Sequence, residues 1–143
     1  MPFVVPDEGE RYLLDVLLKV ALAVSDNWIL HLYVNDVDIE TDTVLADLDE
    51  AFYDGYAPVE LIRSEWSDAA TIGERAVSSW GSGPVSFVAD SGDQDVYGWY
   101  VTDSAETVIL WAERLASAPF NVSTTNPLFL TPINDLASRF NPS

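Results

Sequence analysis

Apolar residues between Val96 and Arg114 do not follow the simple alternation of a half-exposed strand. Two runs rich in aromatic and β-branched residues flank a short polar segment, Asp103 to Glu106. This composition predicts a β-hairpin whose turn is the polar segment. Because successive side chains of a strand point to opposite faces, we expect Trp99 on one face of the hairpin and Tyr100 on the other.

The second strand of the hairpin shows the same two-sided apolar character. Alternation places Ile109 and Trp111 on one face and Leu110 and Ala112 on the other. An antiparallel hairpin with one solvent-exposed face would present a row of polar side chains to water. Both faces are therefore expected to be covered, the second by another sheet, by an N-terminal helix or by another subunit.

The N-terminal residues predict an extended arm followed by a helix. Pro2 and Pro6 favour an arm over residues 1–6, and Asp7 with Glu10 has the spacing of a capping box. The helix is expected over residues 7–23, with its stripe packed on a sheet rather than on a partner. Five apolar residues at helical spacing define that stripe: Leu13, Val16, Leu17, Val20 and Val24.

The rest of the chain predicts short strands separated by turns. Strands are expected at 28–34, 59–63, 85–89 and 128–133, with Pro132 confining the last one to a sheet edge. Residues 44–51 predict a short helical turn capped by Thr43, and 65–80 a loop or weak helix. The expected class is mainly β, an antiparallel β-sandwich of Ig-like or jelly-roll-like type with an N-terminal α-helix. A single domain is expected over 1–143: arm 1–6, helix 7–23, sandwich 28–133 and tail 134–143.

Composition narrows the classes of function. The 143 residues include no cysteine, which excludes disulfides and thiolate chemistry. A formal net charge of −18 opposes binding to nucleic-acid phosphates and favours solubility, divalent cations or a basic partner. The longest apolar stretch, residues 12–24, is interrupted by Asp15 and Lys19, so no membrane span is expected. The acidic residues before it argue against a signal peptide.

An acidic loop after the first predicted strand is the weak candidate for a metal site. Oxygen ligands recur at alternate positions there: Asp36, Asp38, Glu40 and Asp42. Counted from Asp36 as a calcium loop, the sixth position is Thr41 instead of glycine and the twelfth is Asp47 instead of glutamate. These departures favour a solvated loop over a cation site.

No catalytic constellation is visible. His31 is the only histidine, on the strand face opposite Leu30 and Leu32. The chain has no Gly-x-Ser-x-Gly elbow for a nucleophile and no further histidine or cysteine to complete a zinc site. We therefore expect a hydrogen-bonded or surface histidine, no catalytic residues and no cofactor. The Glu113-Arg114 pair suggests that each arginine is engaged by a neighbouring carboxylate.

Five segments carry a resemblance to small virion proteins of tailed bacteriophages, encoded among the head genes. They are LHLYVND at 30–36, LADLDEA at 45–51, GYAPVEL at 55–61, YGWYVTD at 97–103 and ILWAER at 109–114. The resemblance spans about residues 30–114 and is a pattern of strand and turn residues. It implies a structural role, most often capsid decoration or cement, on a β-sandwich scaffold, and it brings no catalytic residues.

The sequence therefore favours a capsid decoration protein that binds the outside of an icosahedral shell. Its expected partners are the major capsid protein or another virion protein and further copies of itself, and its expected location is the virion after synthesis in the host cytoplasm. Because large aromatic residues dominate interfaces, the candidate contact residues are Tyr97, Trp99, Tyr100 and Trp111. The alternatives are a tail or fibre component, or a carbohydrate-binding module whose exposed Trp and Tyr side chains stack on sugar rings.

If Trp99 forms a subunit contact, Trp99→Asp should abolish assembly and leave a folded monomer. Size-exclusion chromatography with light scattering measures the assembly. An unfolded variant would instead identify Trp99 as a core residue.

Overall fold

The computed structural model describes residues 4–9, 11, 27–66, 70–72, 75–81 and 83–135. Two short 3-10 helices, at Leu45–Asp47 and Arg63–Glu65, lie among the strands of this part. The strands are β1 (Trp28–Tyr33), β2 (Val59–Leu61), β3 (Ala70–Ile72), β4 (Arg75–Ser79), β5 (Val85–Phe87), β6 (Asp93–Val96), β7 (Gly98–Thr102), β8 (Ile109–Arg114), β9 (Phe120–Ser123), β10 (Leu128–Leu130) and β11 (Ile133–Asp135).

The predicted mainly-β class is confirmed, and the described strands pair antiparallel. The largest sheet has the strand order β2-β1-β7-β8. A three-stranded sheet has the order β11-β4-β3, and two ribbons pair β10 with β5 and β6 with β9. No helix in the described ranges has the length and apolar character that a membrane span requires.

The predicted hairpin is formed by β7 and β8, with a bulge that changes its faces. Val101 lies opposite Trp111, but Thr102 lies opposite Ile109, so Leu110 is the extra residue of β8. A bulge sets two residues of one strand against one of its partner and interrupts the alternation. Leu110 and Trp111 consequently belong to one core cluster and Ile109 to the other. The expectation that Ile109 and Trp111 share a face is wrong for this reason.

Two clusters of buried residues cover the two faces of the four-stranded sheet. The larger core combines side chains of that sheet with side chains of β5, β6, β9 and β10. The smaller core lies on the opposite face, where the chain between β1 and β2 covers it. Its buried members are Tyr33, Ile39, Leu48, Tyr100, Ile109 and Ala112. Within the described ranges, this connection contributes Ile39 and Leu48 to the second cover, an option that the sequence did not suggest.

The N-terminal arm is joined to the free edge of β8. Val4 and Ala112 exchange two backbone hydrogen bonds, of 3.1 and 3.0 Å. Residues 7–9 and Arg11 have helical backbone, and the Glu8 carboxylate accepts a hydrogen bond from the Ile109 amide at 2.8 Å. The rest of the helix predicted over 7–23 lies outside the described residues, as do 1–3 and 136–143 of the predicted arm and tail.

Three local predictions differ from the structure. Residues 65–80, expected to form a loop or weak helix, contain the hairpin β3–β4. The strand expected over 128–133 is two strands, because Pro132 lies between β10 and β11 and has no amide hydrogen to donate. The 3-10 helix at Leu45–Asp47 is not capped by Thr43, whose hydroxyl accepts from the Glu40 amide at 2.8 Å. The Asp47 carboxylate instead accepts from the Val44 amide at 3.0 Å.

Because Trp99 is a core residue, replacing it with aspartate should destabilise the fold and not merely prevent assembly. Trp99 is 6% exposed within the larger core, so Trp99→Asp leaves a cavity and a buried unpaired carboxylate. We expect a loss of about 4 kcal/mol or more in the free energy of unfolding, measured by urea denaturation. The matched control is Phe129→Asp at a side chain that is 60% exposed, with an expected change within about 0.5 kcal/mol. A folded Trp99→Asp variant of native stability would contradict the burial.

Candidate functional site

The four predicted contact residues are largely inside the chain. Trp99, Tyr100 and Trp111 are 6%, 3% and 0% exposed, and Tyr97 is half-buried. Trp111 packs against other indole rings of the larger core, with its ring centroid 5.2 Å from that of Trp28. Trp99, Tyr100 and Trp111 therefore do not offer the exposed aromatic surface that the sequence suggested, because the chain itself covers both faces of the hairpin.

The acidic loop binds the chain's own arginine. The Arg114 guanidinium donates to Asp36 Oδ1 at 2.6 Å and to the Val37 carbonyl oxygen at 3.0 Å, and it lies 3.7 Å from Asp38 Oδ1. It also sits over the Tyr97 ring at 5.3 Å. The hydrogen bond that Arg114 donates to Asp36 raises the pKa of the guanidinium. Two of the four candidate metal ligands are thus engaged by an internal cation.

The other two acidic candidates remain at the surface. Glu40 and Asp42 are exposed, and no group of three acidic or histidine side chains in the described part of the chain is placed to hold a metal ion. Arg114 was expected to pair with its neighbour Glu113, but its partners lie 76 to 78 residues away in sequence. Glu113 is half-buried, and this burial raises the pKa of its carboxyl.

His31 is the centre of a buried polar network. Its ring is 2% exposed and stacks on Tyr100 with centroids 4.7 Å apart and an interplanar angle of 8°. Nδ1 lies 2.7 Å from Glu50 Oε1, and Nε2 lies 3.0 Å from Thr102 Oγ1. The expectation of a hydrogen-bonded histidine is confirmed, since both ring nitrogens have partners.

The network continues beyond the imidazole. The Tyr56 hydroxyl donates to Glu50 Oε1 at 2.9 Å and accepts from the Leu32 amide at 3.2 Å. On the other side, the Thr102 hydroxyl donates to the Asp103 carbonyl oxygen at 3.0 Å. These bonds connect β1, β7 and the connection between β1 and β2, so the network joins a sheet to the segment that covers it.

A cavity opens beside this network. Its volume is about 300 Å³, and two carboxylates, two rings, a hydroxyl and two leucines line it. The lining residues are His31, Leu45, Leu48, Glu50, Tyr100, Thr102 and Glu106. Only the position of His31 on an apolar strand pointed to this site in the sequence. The other members are spread over 62 residues and carry no local pattern.

Glu50, His31 and Thr102 are arranged in the order acid, imidazole, hydroxyl. This order also occurs in catalytic triads, where the hydroxyl must reach a substrate. Thr102 is 0% exposed, and its hydroxyl is hydrogen-bonded to the Asp103 carbonyl. The geometry therefore favours a structural network that fixes the walls of the cavity.

Comparisons with protein-family models, with curated proteins and with solved structures found no match to this chain.

Removing the Thr102 hydroxyl should destabilise the fold. Thr102→Val keeps the shape of the side chain and removes the hydrogen bonds of its hydroxyl with His31 Nε2 and the Asp103 carbonyl oxygen. We expect a loss of about 1–3 kcal/mol in the free energy of unfolding, measured in urea. The control is Thr125→Val at an exposed position, with a change within about 0.5 kcal/mol. Equal stability of both variants would show that the bond contributes little.

Stability should fall in alkaline solution. Burial raises the pKa of Tyr33 and Tyr53 to about 12, and it also raises the pKa of Tyr56 and Tyr100. Tyrosine titrates near pH 10 in an unfolded chain, so this stabilisation is complete below about pH 10 and is lost as the pH rises towards 12. The urea midpoint should therefore be lower at about pH 11 than at about pH 9, and less so in Tyr53→Phe. Equal midpoints at the two pH values would contradict the burial of these phenols.

Proposed function

We propose that this chain is a structural virion protein of a tailed bacteriophage, a capsid decoration protein that binds the outer shell through protein contacts. The observation that carries the proposal is an uncharged, partly apolar surface on the ribbon of β5 and β10, in a chain with 24 acidic residues. The partner we propose for this surface is the major capsid protein.

The outward face of the β5–β10 ribbon is defined by Ser86, Val88 and Phe129. Phe129 lies opposite Ser86 in the register, and Val88 follows two residues later on the same side. Phe129 is 60% exposed and Val88 is 42% exposed, whereas Phe87 and Leu128 on the inward face are buried. An exposed aromatic ring beside an aliphatic side chain is the composition of a contact surface rather than of a solvated one.

Charge also supports this choice of surface. Neither β5 nor β10 contains an ionisable residue, although the chain carries a net charge of −18. A contact made here buries no carboxylate and avoids the desolvation cost of an unpaired charge. The acidic remainder of the surface repels packaged DNA, which favours a position on the outside of a shell.

The segments that resemble phage virion proteins form one structural unit. They contribute β1, β2, β7, β8 and the 3-10 helix at Leu45–Asp47. These strands make up the four-stranded sheet, and Leu45 and Leu48 pack on its smaller core. The resembling segments therefore form a sheet and part of its cover, which supports a scaffold shared with the phage virion proteins. The proposed contact surface on β5 and β10 lies outside these segments.

We further propose that the antiparallel sheets stack as a β-sandwich. The larger core joins side chains of the four-stranded sheet to inward side chains of the two ribbons, including Phe87, Val96, Val122 and Leu128. Such contacts are expected where sheets pack face to face.

The carbohydrate-binding alternative loses its main support. It needs exposed indole or phenol rings, but all five tryptophans are buried or half-buried. Among the aromatic rings that the structure describes, those with high exposure belong to Phe52 and Phe129, at 78% and 60%. No feature in the described part of the chain favours a tail or fibre location over the capsid, and particle micrographs with and without the protein distinguish the two.

Co-sedimentation with expanded shells of the phage that encodes the chain tests the proposal. The wild-type chain should sediment with the shells, and Phe129→Asp should reduce the bound fraction by about tenfold or more, since a carboxylate would be buried in the contact. The control is Phe52→Asp, the same change at an exposed phenylalanine outside the ribbon, which should bind like the wild type.

Both outcomes of this experiment are informative. Failure of the wild-type chain to sediment with shells would refute capsid decoration. Equal binding by Phe129→Asp and Phe52→Asp would place the contact elsewhere. Circular dichroism of each variant separates loss of binding from loss of fold, and light scattering measures the predicted oligomer.

A further inference from the structure

We propose that the cavity beside His31 binds an organic cation, an alkylammonium or guanidinium group on an aliphatic stem. The inference rests on the lining of the cavity and is independent of the proposed role in the virion. The ligand is either a free amine or the side chain of a lysine or arginine on a partner protein. A free amine and such a side chain both present a cationic nitrogen group on an aliphatic stem to the cavity.

Two carboxylates stand at the mouth of the cavity with unused acceptor capacity. The side chains of Glu50 and Glu106 are 39% and 50% exposed. Glu50 Oε1 accepts from His31 and Tyr56, and Glu106 Oε1 lies 3.6 Å from His31 Nε2. The Oε2 atoms accept no hydrogen bond from the residues that the structure describes. Each carboxylate therefore keeps one oxygen for a donor that enters from outside.

A buried phenol supplies a further polar group. Tyr100 is 3% exposed and lines the cavity, and its hydroxyl makes no hydrogen bond within the described ranges. Besides burial, the charges of Glu50 and Glu106 raise the pKa of Tyr100, so the phenol and both carboxylates lie within electrostatic reach of one another. This hydroxyl is not among the fully buried polar atoms that lack a partner, so a ligand that enters the cavity can hydrogen-bond to it.

The remaining walls favour an organic cation over a metal ion. Leu45, Leu48 and the ring of Tyr100 are apolar surfaces that suit a methylene stem. A volume of about 300 Å³ is at the small end of the range for ligand pockets and far exceeds a single ion. Calcium also requires six to eight oxygen ligands, which two carboxylates do not provide. An anionic ligand is opposed by Glu50 and Glu106.

His31 provides a direct reporter of binding. It is the only histidine of the chain and forms part of the cavity wall, so its imidazole gives a single NMR signal that reads out this site alone. At fixed pH, titration of the full chain with n-butylammonium should shift this signal saturably. The neutral isostere n-butanol should bind at least about tenfold more weakly, because it makes no charge-assisted hydrogen bond.

Matched variants assign the effect to the cavity. Glu106→Gln removes one mouth carboxylate at a half-exposed position and should weaken n-butylammonium binding by about tenfold. Asp93→Asn makes the same charge change at an exposed residue of β6 outside the lining, and it should alter the affinity by less than about twofold. Unfolding midpoints of the variants establish that both are folded.

A lysine with blocked termini distinguishes the two sources of the ligand. Binding of this blocked lysine and of n-butylammonium supports a site for a partner's side chain, whereas binding of n-butylammonium alone supports a site for a free amine. No shift of the His31 signal with either cation would overturn the proposal. Equal effects of n-butanol and n-butylammonium, or of Glu106→Gln and Asp93→Asn, would also overturn it.

Discussion

Burial of both faces of β7 is the constraint on which the rest of the fold depends. All five residues of this strand are buried, including the polar Thr102, and β1 and β8 satisfy its two edges. Gly98 shows how close the packing is, because a side chain there would collide with the Glu113 carbonyl oxygen and the Tyr33 ring. A central strand with two apolar faces needs two covers, and the other described elements supply them.

The two covers are held by different interactions. On the side of the larger core, short strands pack their apolar side chains against the sheet. On the opposite side, an irregular connection covers the sheet and is held by polar side-chain contacts at two points. Arg114 binds Asp36 near the start of the connection, and His31 binds Glu50 near its end. In a chain with six lysines and arginines and one histidine, two of these basic groups serve this single attachment.

The two covers of the four-stranded sheet determine which surfaces remain for the proposed contacts. The aromatic rings of the hairpin are used to build the core, so they stabilise the fold and leave little surface for a partner. The outward face of the β5–β10 ribbon is uncharged and suits a protein surface, while the cavity beneath the connection is acidic and suits a cation. The two surfaces differ in chemistry and share no residue.

The sequence by itself determined the elements that depend on neighbouring residues. Alternation and turn residues located β1, β2, β5 and the hairpin, and composition fixed the formal charge of −18. Tertiary structure decided the features that depend on distant residues. The bulge at Leu110 breaks the local alternation of β8. The pairing of β6 with β9 and the contact of Arg114 with Asp36 join residues that are far apart in sequence, which periodicity cannot reveal. The cavity beside His31 is of the same kind, because only folding brings Glu50, Thr102 and Glu106 to one histidine.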